Sequence, residues 1–158
     1  MRQLFVALAL APTAALAGET TLTFEADRMI EVAFVAVQEG KGEALQRDYF
    51  RKVMPIAAEY GMKPLGKISV DRVEHGDSQA GVVAFFEWPS LDAKERFDAD
   101  RRFRKLRPVR DGMLDELRLV FTEVEETTTV TFDDSRMYEV YAGWTNAHRG
   151  AELQGYFA

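Results

Sequence analysis

Gly81-Val-Val-Ala-Phe-Phe-Glu-Trp-Pro-Ser-Leu-Asp-Ala-Lys-Glu-Arg-Phe97 reads as a buried strand that runs directly into a helix. Val82–Trp88 is a nearly continuous apolar run, rich in β-branched and aromatic residues. Strands covered on both faces have this pattern. Pro89 ends the run, because proline cannot donate to a central ladder. Ser90 then stands where a helix N-cap belongs. Asp92 falls in the first turn, where a carboxylate suits the helix dipole.

Working outward, Arg28–Val37 is a second strong strand. Ile30, Val32, Phe34 and Ala36 form one face, and Met29, Ala33, Val35 and Val37 most of the other, which Glu31 interrupts. Gly40-Lys41-Gly42 turns the chain into a helix, where Leu45, Tyr49, Val53, Ile56 and Tyr60 make one stripe. Pro55 predicts a kink in it and Gly61 its end. Lys63–Glu74 reads as a weaker strand and Glu74–Ser78 as a turn. The second helix carries Ala93 and Phe97, breaks near Ala99-Asp100, and resumes through Phe103 and Leu106. Leu117–Val124 is the next strand, and Thr20–Phe24 a short one near the start. The order from Arg28 is strand-helix-strand twice over, an α+β, ferredoxin-like βαββαβ unit. Both helices of such a unit cover one sheet face. Since Ile30–Val37 and Val82–Phe86 are apolar on both faces, the helix-free face needs a partner. A second sheet of the same kind predicts a homodimeric, barrel-like assembly.

The chain has 158 residues, enough for one domain with a substantial core. Met1-Arg2-Gln3, the apolar Leu4–Ala11 and the A-x-A site Ala15-Leu16-Ala17 stand in the order of a secretory leader. That apolar stretch is too short to span a bilayer. Cleavage after Ala17 predicts a periplasmic or secreted bacterial protein. It removes one cation, Arg2, so the formal charge moves from −6 to −7. Such an acidic chain is a poor match for nucleic acid, where cations must displace counterions. With no cysteine, disulfides, thiolate metal sites and a cysteine nucleophile are all excluded.

The Gly76-Asp77 turn and the strand end Glu87-Trp88-Pro89-Ser90, followed by an aromatic at Phe97, carry a resemblance. Residues 29–124 resemble the dimeric α/β-barrel superfamily, which includes antibiotic-biosynthesis and haem-degrading monooxygenases. Within it, the chain is most similar to a small uncharacterised family with these motifs. The resemblance implies a cofactor-independent protein acting on a small apolar or aromatic molecule. Haem-degrading members use an Asn, a Trp and a His that would fall at Val35, Phe97 and Arg107. None matches, so haem is not expected.

Glu31 is the first catalytic candidate. Inside an apolar strand its carboxyl would hold a raised pKa and accept protons near neutrality; alternatively it reaches solvent or pairs with a cation. His75, between Glu74 and Asp77, is the second acid–base candidate. It and His148 lie in separate turns with no third nitrogen or sulfur, so no metal is expected. Glu87 reads equally as a functional carboxylate or a strand-end residue fixing the turn. Tyr49, Phe86, Trp88 and Phe97 are candidate ligand-binding residues of an aromatic pocket, or plain core. The basic run Arg96–Arg110 could attract an anionic ligand; interspersed with acids, it reads rather as a solvated helix face.

Two functions remain. One is an exported small-molecule-binding protein or cofactor-independent enzyme, monooxygenase- or isomerase-like. The other is a non-catalytic binding or assembly module. A titratable group inside a pocket separates them.

The last feature is internal. A shift of 108 lays Thr20–Phe50 over Thr128–Ala158 with eleven of 31 positions identical, among them Arg28/Arg136, Met29/Met137, Glu31/Glu139 and Val32/Val140. Average residue usage gives roughly two. The expected division is therefore a leader over 1–17, a domain over 18–126, and the start of a second repeat over 127–158. That repeat is the beginning of a tandem copy, paired within one chain, or a terminal strand of the first domain. Either way Arg136–Thr145 is predicted as a strand and Ala151–Phe157 as a helical stub.

Overall fold

The computed structural model describes residues 4–12, 19–133 and 135–144. In chain order the elements are β1 (Leu4–Pro12), β2 (Glu19–Phe24), β3 (Met29–Val37), α1 (Gly42–Leu45), a π-helical turn (Gln46–Phe50), α2 (Arg51–Glu59), β4 (Lys63–Ser69), β5 (Val82–Trp88), α3 (Leu91–Ala99), α4 (Arg101–Asp111), β6 (Leu114–Glu123), β7 (Thr128–Asp133) and β8 (Arg136–Trp144). Two compact units result: residues 23–128, and the described parts of 1–22 with 129–158.

The larger unit holds an antiparallel four-stranded sheet in the order β4-β5-β3-β6, the α+β, ferredoxin-like arrangement. The two most apolar strands lie side by side at its centre, with Glu31 opposite Phe86 on one side and Phe121 on the other. Met29, Leu45, Tyr49, Val53, Ile56, Ala57, Met62, Trp88, Phe97 and Phe103 form the core between sheet and helices. On the helix-free face Ile30, Val32, Val83, Phe85 and Val120 are also buried. Phe24 lies edge-on to Phe85 there, ring centroids 5.7 Å apart.

The first helix departs from regularity at Gln46–Phe50, upstream of Pro55, where the proline alone predicts a kink. Pro55 has no N–H for the Arg51 carbonyl and crowds it, and the wider turn lies just before that residue. The helix ends at Gly61 as expected. Met62 N–H donates to Ala57 O (3.2 Å) and Gly61 N–H to Ala58 O (3.0 Å), a Schellman closure with Gly61 at φ +82°. A Cβ at Gly61 would also stand 2.5 Å from Pro89 Cγ. Gly61→Ala therefore combines left-handed strain with a clash against a rigid ring. Its expected cost is about 2 kcal/mol or more, read as a lower urea midpoint at unchanged slope.

β4 is shorter than its apolar residues suggest, stopping at Ser69 rather than Glu74. The chain from 70 to 81 is tied instead to its neighbours. Val70 N–H donates to Gly81 O (2.9 Å), Ser78 Oγ to Glu116 (2.9 Å), and Arg118 pairs with Asp77 (2.9 Å).

In the smaller unit β2 pairs with β7, and Thr21 Oγ1 lies 3.1 Å from Thr131 Oγ1. β8 is the strand expected over Arg136–Thr145, ending at Trp144. It pairs antiparallel with β1, Leu4 opposite Trp144 and Pro12 opposite Arg136. The expected cleavage site at Ala15-Leu16-Ala17 and the helical stub Ala151–Phe157 lie outside the described residues, as does His148.

Candidate functional site

A cavity of about 100 Å³ lies between the sheet and the helices of the larger unit. β3 presents Glu31, Ala33 and Val35 to it, and β5 presents Ala84, Phe86 and Trp88. Strand alternation explains both sets, since residues two apart share a face. The first helix adds Tyr49 and Phe50 from the π turn, so two consecutive side chains line one wall. α3 adds Lys94 and Phe97, and α4 adds Phe103 and Arg110.

The α3 residues are aimed by the cap. Ser90 Oγ accepts from Ala93 N–H at 3.2 Å, which sets the phase that turns Ala93, Lys94 and Phe97 inward. Asp100 then breaks the helix and restarts it. Its backbone is extended, and its carboxylate accepts from Arg102 N–H (2.6 Å) and from Tyr60 Oη–H (2.9 Å). Arg102 in turn donates to both Glu59 oxygens at 2.9 and 2.6 Å. This clasp ties the end of α2 to the α3–α4 corner. Arg102 holds the Asp100 carboxyl well below the usual carboxylate range.

Glu31 is buried in the cavity wall, and its Oε2 accepts the Trp88 Nε1–H at 2.9 Å. Burial raises its pKa above the ordinary carboxylate value; Lys94, the Trp88 hydrogen bond and Arg110 pull the other way, and Asp98 adds to the rise. Lys94 is 6% exposed. Its ammonium donates to both Asp98 oxygens at 2.7 Å and lies 5.6, 5.9 and 5.4 Å from the ring centroids of Trp88, Phe97 and Phe121. Three ring faces and one carboxylate thus surround the ammonium. Arg110 lies with its guanidinium carbon 5.8 Å from the centre of the Tyr49 ring and pairs with Asp111. Burial pushes the Tyr49 hydroxyl up, so it stays neutral.

Of the sequence candidates, Glu31, Tyr49, Phe86, Trp88 and Phe97 converge on this one cavity. His75 does not: it sits exposed in the 70–81 loop and is not among the lining residues. Glu87 faces the other side of the sheet, where it is buried and pairs with Lys63 of β4 at 3.1 Å. Sequence reasoning missed Lys94, and weighed Arg110 only as one member of the basic run. Helical phase was the available signal, because Lys94 is three residues before Phe97 and so shares its inward stripe. The other basic residues of the Arg96–Arg110 run, Arg96, Arg101, Arg102, Arg104, Lys105 and Arg107, are exposed, as a solvated face should be. Among the described residues no cluster of three or more metal-binding side chains occurs.

No family model and no curated protein matches the chain. Solved structures do. The chain is similar to a protein of unknown function from Rhodopseudomonas palustris, with TM-score 0.52 and 17% identity over 65% of this chain and 85% of that one. It is similar to a NIPSNAP domain protein from Burkholderia xenovorans, with TM-score 0.47 and 18% identity over 61% and 93% of the two chains. It is similar to a NIPSNAP family protein from Agrobacterium tumefaciens, with TM-score 0.47 and 12% identity over 72% and 94%. At such identities likeness is of fold alone. The strand order of its sheet gives the larger unit the ferredoxin-like fold.

Proposed function

We propose that the protein binds a small aromatic or apolar molecule in the cavity of its larger unit and acts on it as a cofactor-independent enzyme. Glu31 is the proton acceptor in this reading. The supporting observation is a buried carboxyl, raised in pKa, in the wall of a mostly apolar cavity that Lys94 and Arg110 also line. An assembly module has no use for a titratable group there, and keeping one costs stability. Size narrows the ligand. A cavity near 100 Å³ falls below the ~300 Å³ of ordinary drug-sized sites and close to the ~150 Å³ that accepts benzene. The ligand is then about one ring. Phe86, Trp88 and Phe97 supply its contacts, and Glu31 takes its proton. Native mass spectrometry of protein purified from its own cells tests this. A retained small molecule of one-ring mass, lost when Ala84→Phe fills the cavity, supports the reading; equal retention by the variant overturns it.

Export is the second part of the proposal, supported by the basic start, apolar run and A-x-A site in their proper order. The expected mature protein begins at Gly18. Intact mass of the exported product checks it, and a product retaining Leu4–Ala11 overturns it. Light scattering reads self-association: a dimer at micromolar concentration supports pairing through the helix-free sheet face, and a monomer means that this face, where Ile30, Val32, Val83, Phe85 and Val120 are buried, is covered within the single chain.

A further inference from the structure

The cavity walls carry more positive than negative charge, and that surplus names a ligand class. Lys94 and Arg110 both act on the Glu31 carboxyl, from α3 and α4. Their own counterions stand outward. The Asp98 side chain is 44% exposed and that of Asp111 51% exposed, whereas those of Lys94 and Arg110 are 7% and 16% exposed. Water screens the outward partners far more than the inward cations. Tyr49, from the first helix, is neutral. The groups facing Glu31 are therefore Lys94 and Asp98 on α3, Arg110 on α4, Tyr49 on the π turn and Trp88 on β5.

We infer that the ligand of this cavity is a one-ring organic acid, bound as its anion, with Lys94 and Arg110 holding the acidic group and Trp88, Phe97 and Phe86 holding the ring. This rests on the small-molecule reading above and names the substrate class for it. The proton balance follows. An acid entering with its proton gives that proton to the Glu31 carboxylate and stays as an anion beside Lys94. An anion entering alone draws one proton from solvent onto Glu31. The bound state is the same by both routes: a neutral Glu31 carboxyl, an anionic ligand and two cations. Two anions side by side in an apolar wall would repel, which is why binding and protonation are linked.

Benzoate and benzyl alcohol are the probes, equal in ring and differing in charge. Titration calorimetry on the full chain near neutral pH, in two buffers of different ionisation enthalpy, reads affinity and protons taken up together. The Trp88 indole N–H resonance reports whether a probe enters this cavity, since that group donates to Glu31. Benzoate is expected to bind about tenfold or more tighter than benzyl alcohol, and to take up part of one proton. Glu31→Gln should keep the preference and abolish the uptake. Lys94→Met should remove the preference, because its thioether keeps the bulk and loses the charge. Benzyl alcohol binding as well as benzoate, or benzoate binding with no proton uptake by the wild type, overturns the anion inference and leaves the small-molecule reading standing. Neither probe moving the Trp88 resonance overturns both. The uptake measurement needs no variant, so a Lys94→Met chain that fails to fold does not block the test.

Discussion

Phe97→Ala is expected to remove about 3–5 kcal/mol of stability, the range for truncating a buried phenylalanine. The ring is 5% exposed and sits where every wall of the site meets. Its centroid lies 5.1 Å from that of Trp88, 5.9 Å from Tyr60 and 4.2 Å from Phe103. These neighbours belong to the end of β5, the end of the first helix and α4. None of them is positioned to collapse inward, because Trp88 is held by Glu31 and Tyr60 by Asp100. The void would persist, adding a cavity term to the lost transfer energy. Domains of this size are stable by only about 5–15 kcal/mol, so the variant should unfold at a much lower urea concentration. Phe97→Leu, which keeps most of the volume, should cost less than half as much. A loss under about 1.5 kcal/mol for Phe97→Ala would mean the ring is not the keystone of this core.

The reason Phe97 was visible in the sequence is the reason the fold was. Val82–Trp88 is apolar without alternation, and only a central strand gives that pattern a place; in the sheet it lies beside β3, which is equally apolar. Pro89 and Ser90 mark the crossing from strand to helix, and the Ser90 cap is found where the residue type places it. Punctuation of this kind is local, so one chain suffices to read it. Three features were not legible. The π turn at Gln46–Phe50 has no residue signature of its own; Pro55 drew attention to a position further on. The end of β4 depends on Glu116 and Arg118 capturing Ser78 and Asp77, contacts between positions some forty residues apart. The inward turn of Arg110 breaks the reading of its whole basic run as solvated, because α4 restarts at Asp100 with a phase that the first part of the helix does not share. The pocket itself follows the same division. Its aromatic residues and Glu31 were legible, Arg110 only as a member of its basic run, and Lys94 was not.

An effect of pH on stability is expected at Glu31, and Glu31→Gln should reveal it. In the folded protein burial lifts this carboxyl above its ordinary value of 4.5. Between that value and the raised one, the folded state holds a proton that the unfolded state has released. Stability from this group is therefore fullest below the unfolded pKa and falls as pH rises through the folded one. The slope approaches about 1.4 kcal/mol per pH unit inside the window and levels off above it. Glutamine keeps an acceptor for Trp88 Nε1–H and the same shape, but it never ionises. The difference in unfolding free energy, variant minus wild type, should then grow as pH rises above the ordinary value of 4.5 and level off beyond the raised folded value, as urea titrations at several pH values would show. A difference that stays flat would mean Glu31 ionises in the fold as freely as in water. The carboxyl would then be satisfied by Lys94 and Trp88 alone, a structural ion pair holding the end of β5 to α3. A growing difference would mean the protein tolerates a destabilising carboxyl at neutral pH. Tolerance of that kind is what distinguishes a group kept for chemistry from one kept for packing, because leucine would fill the same wall at lower cost.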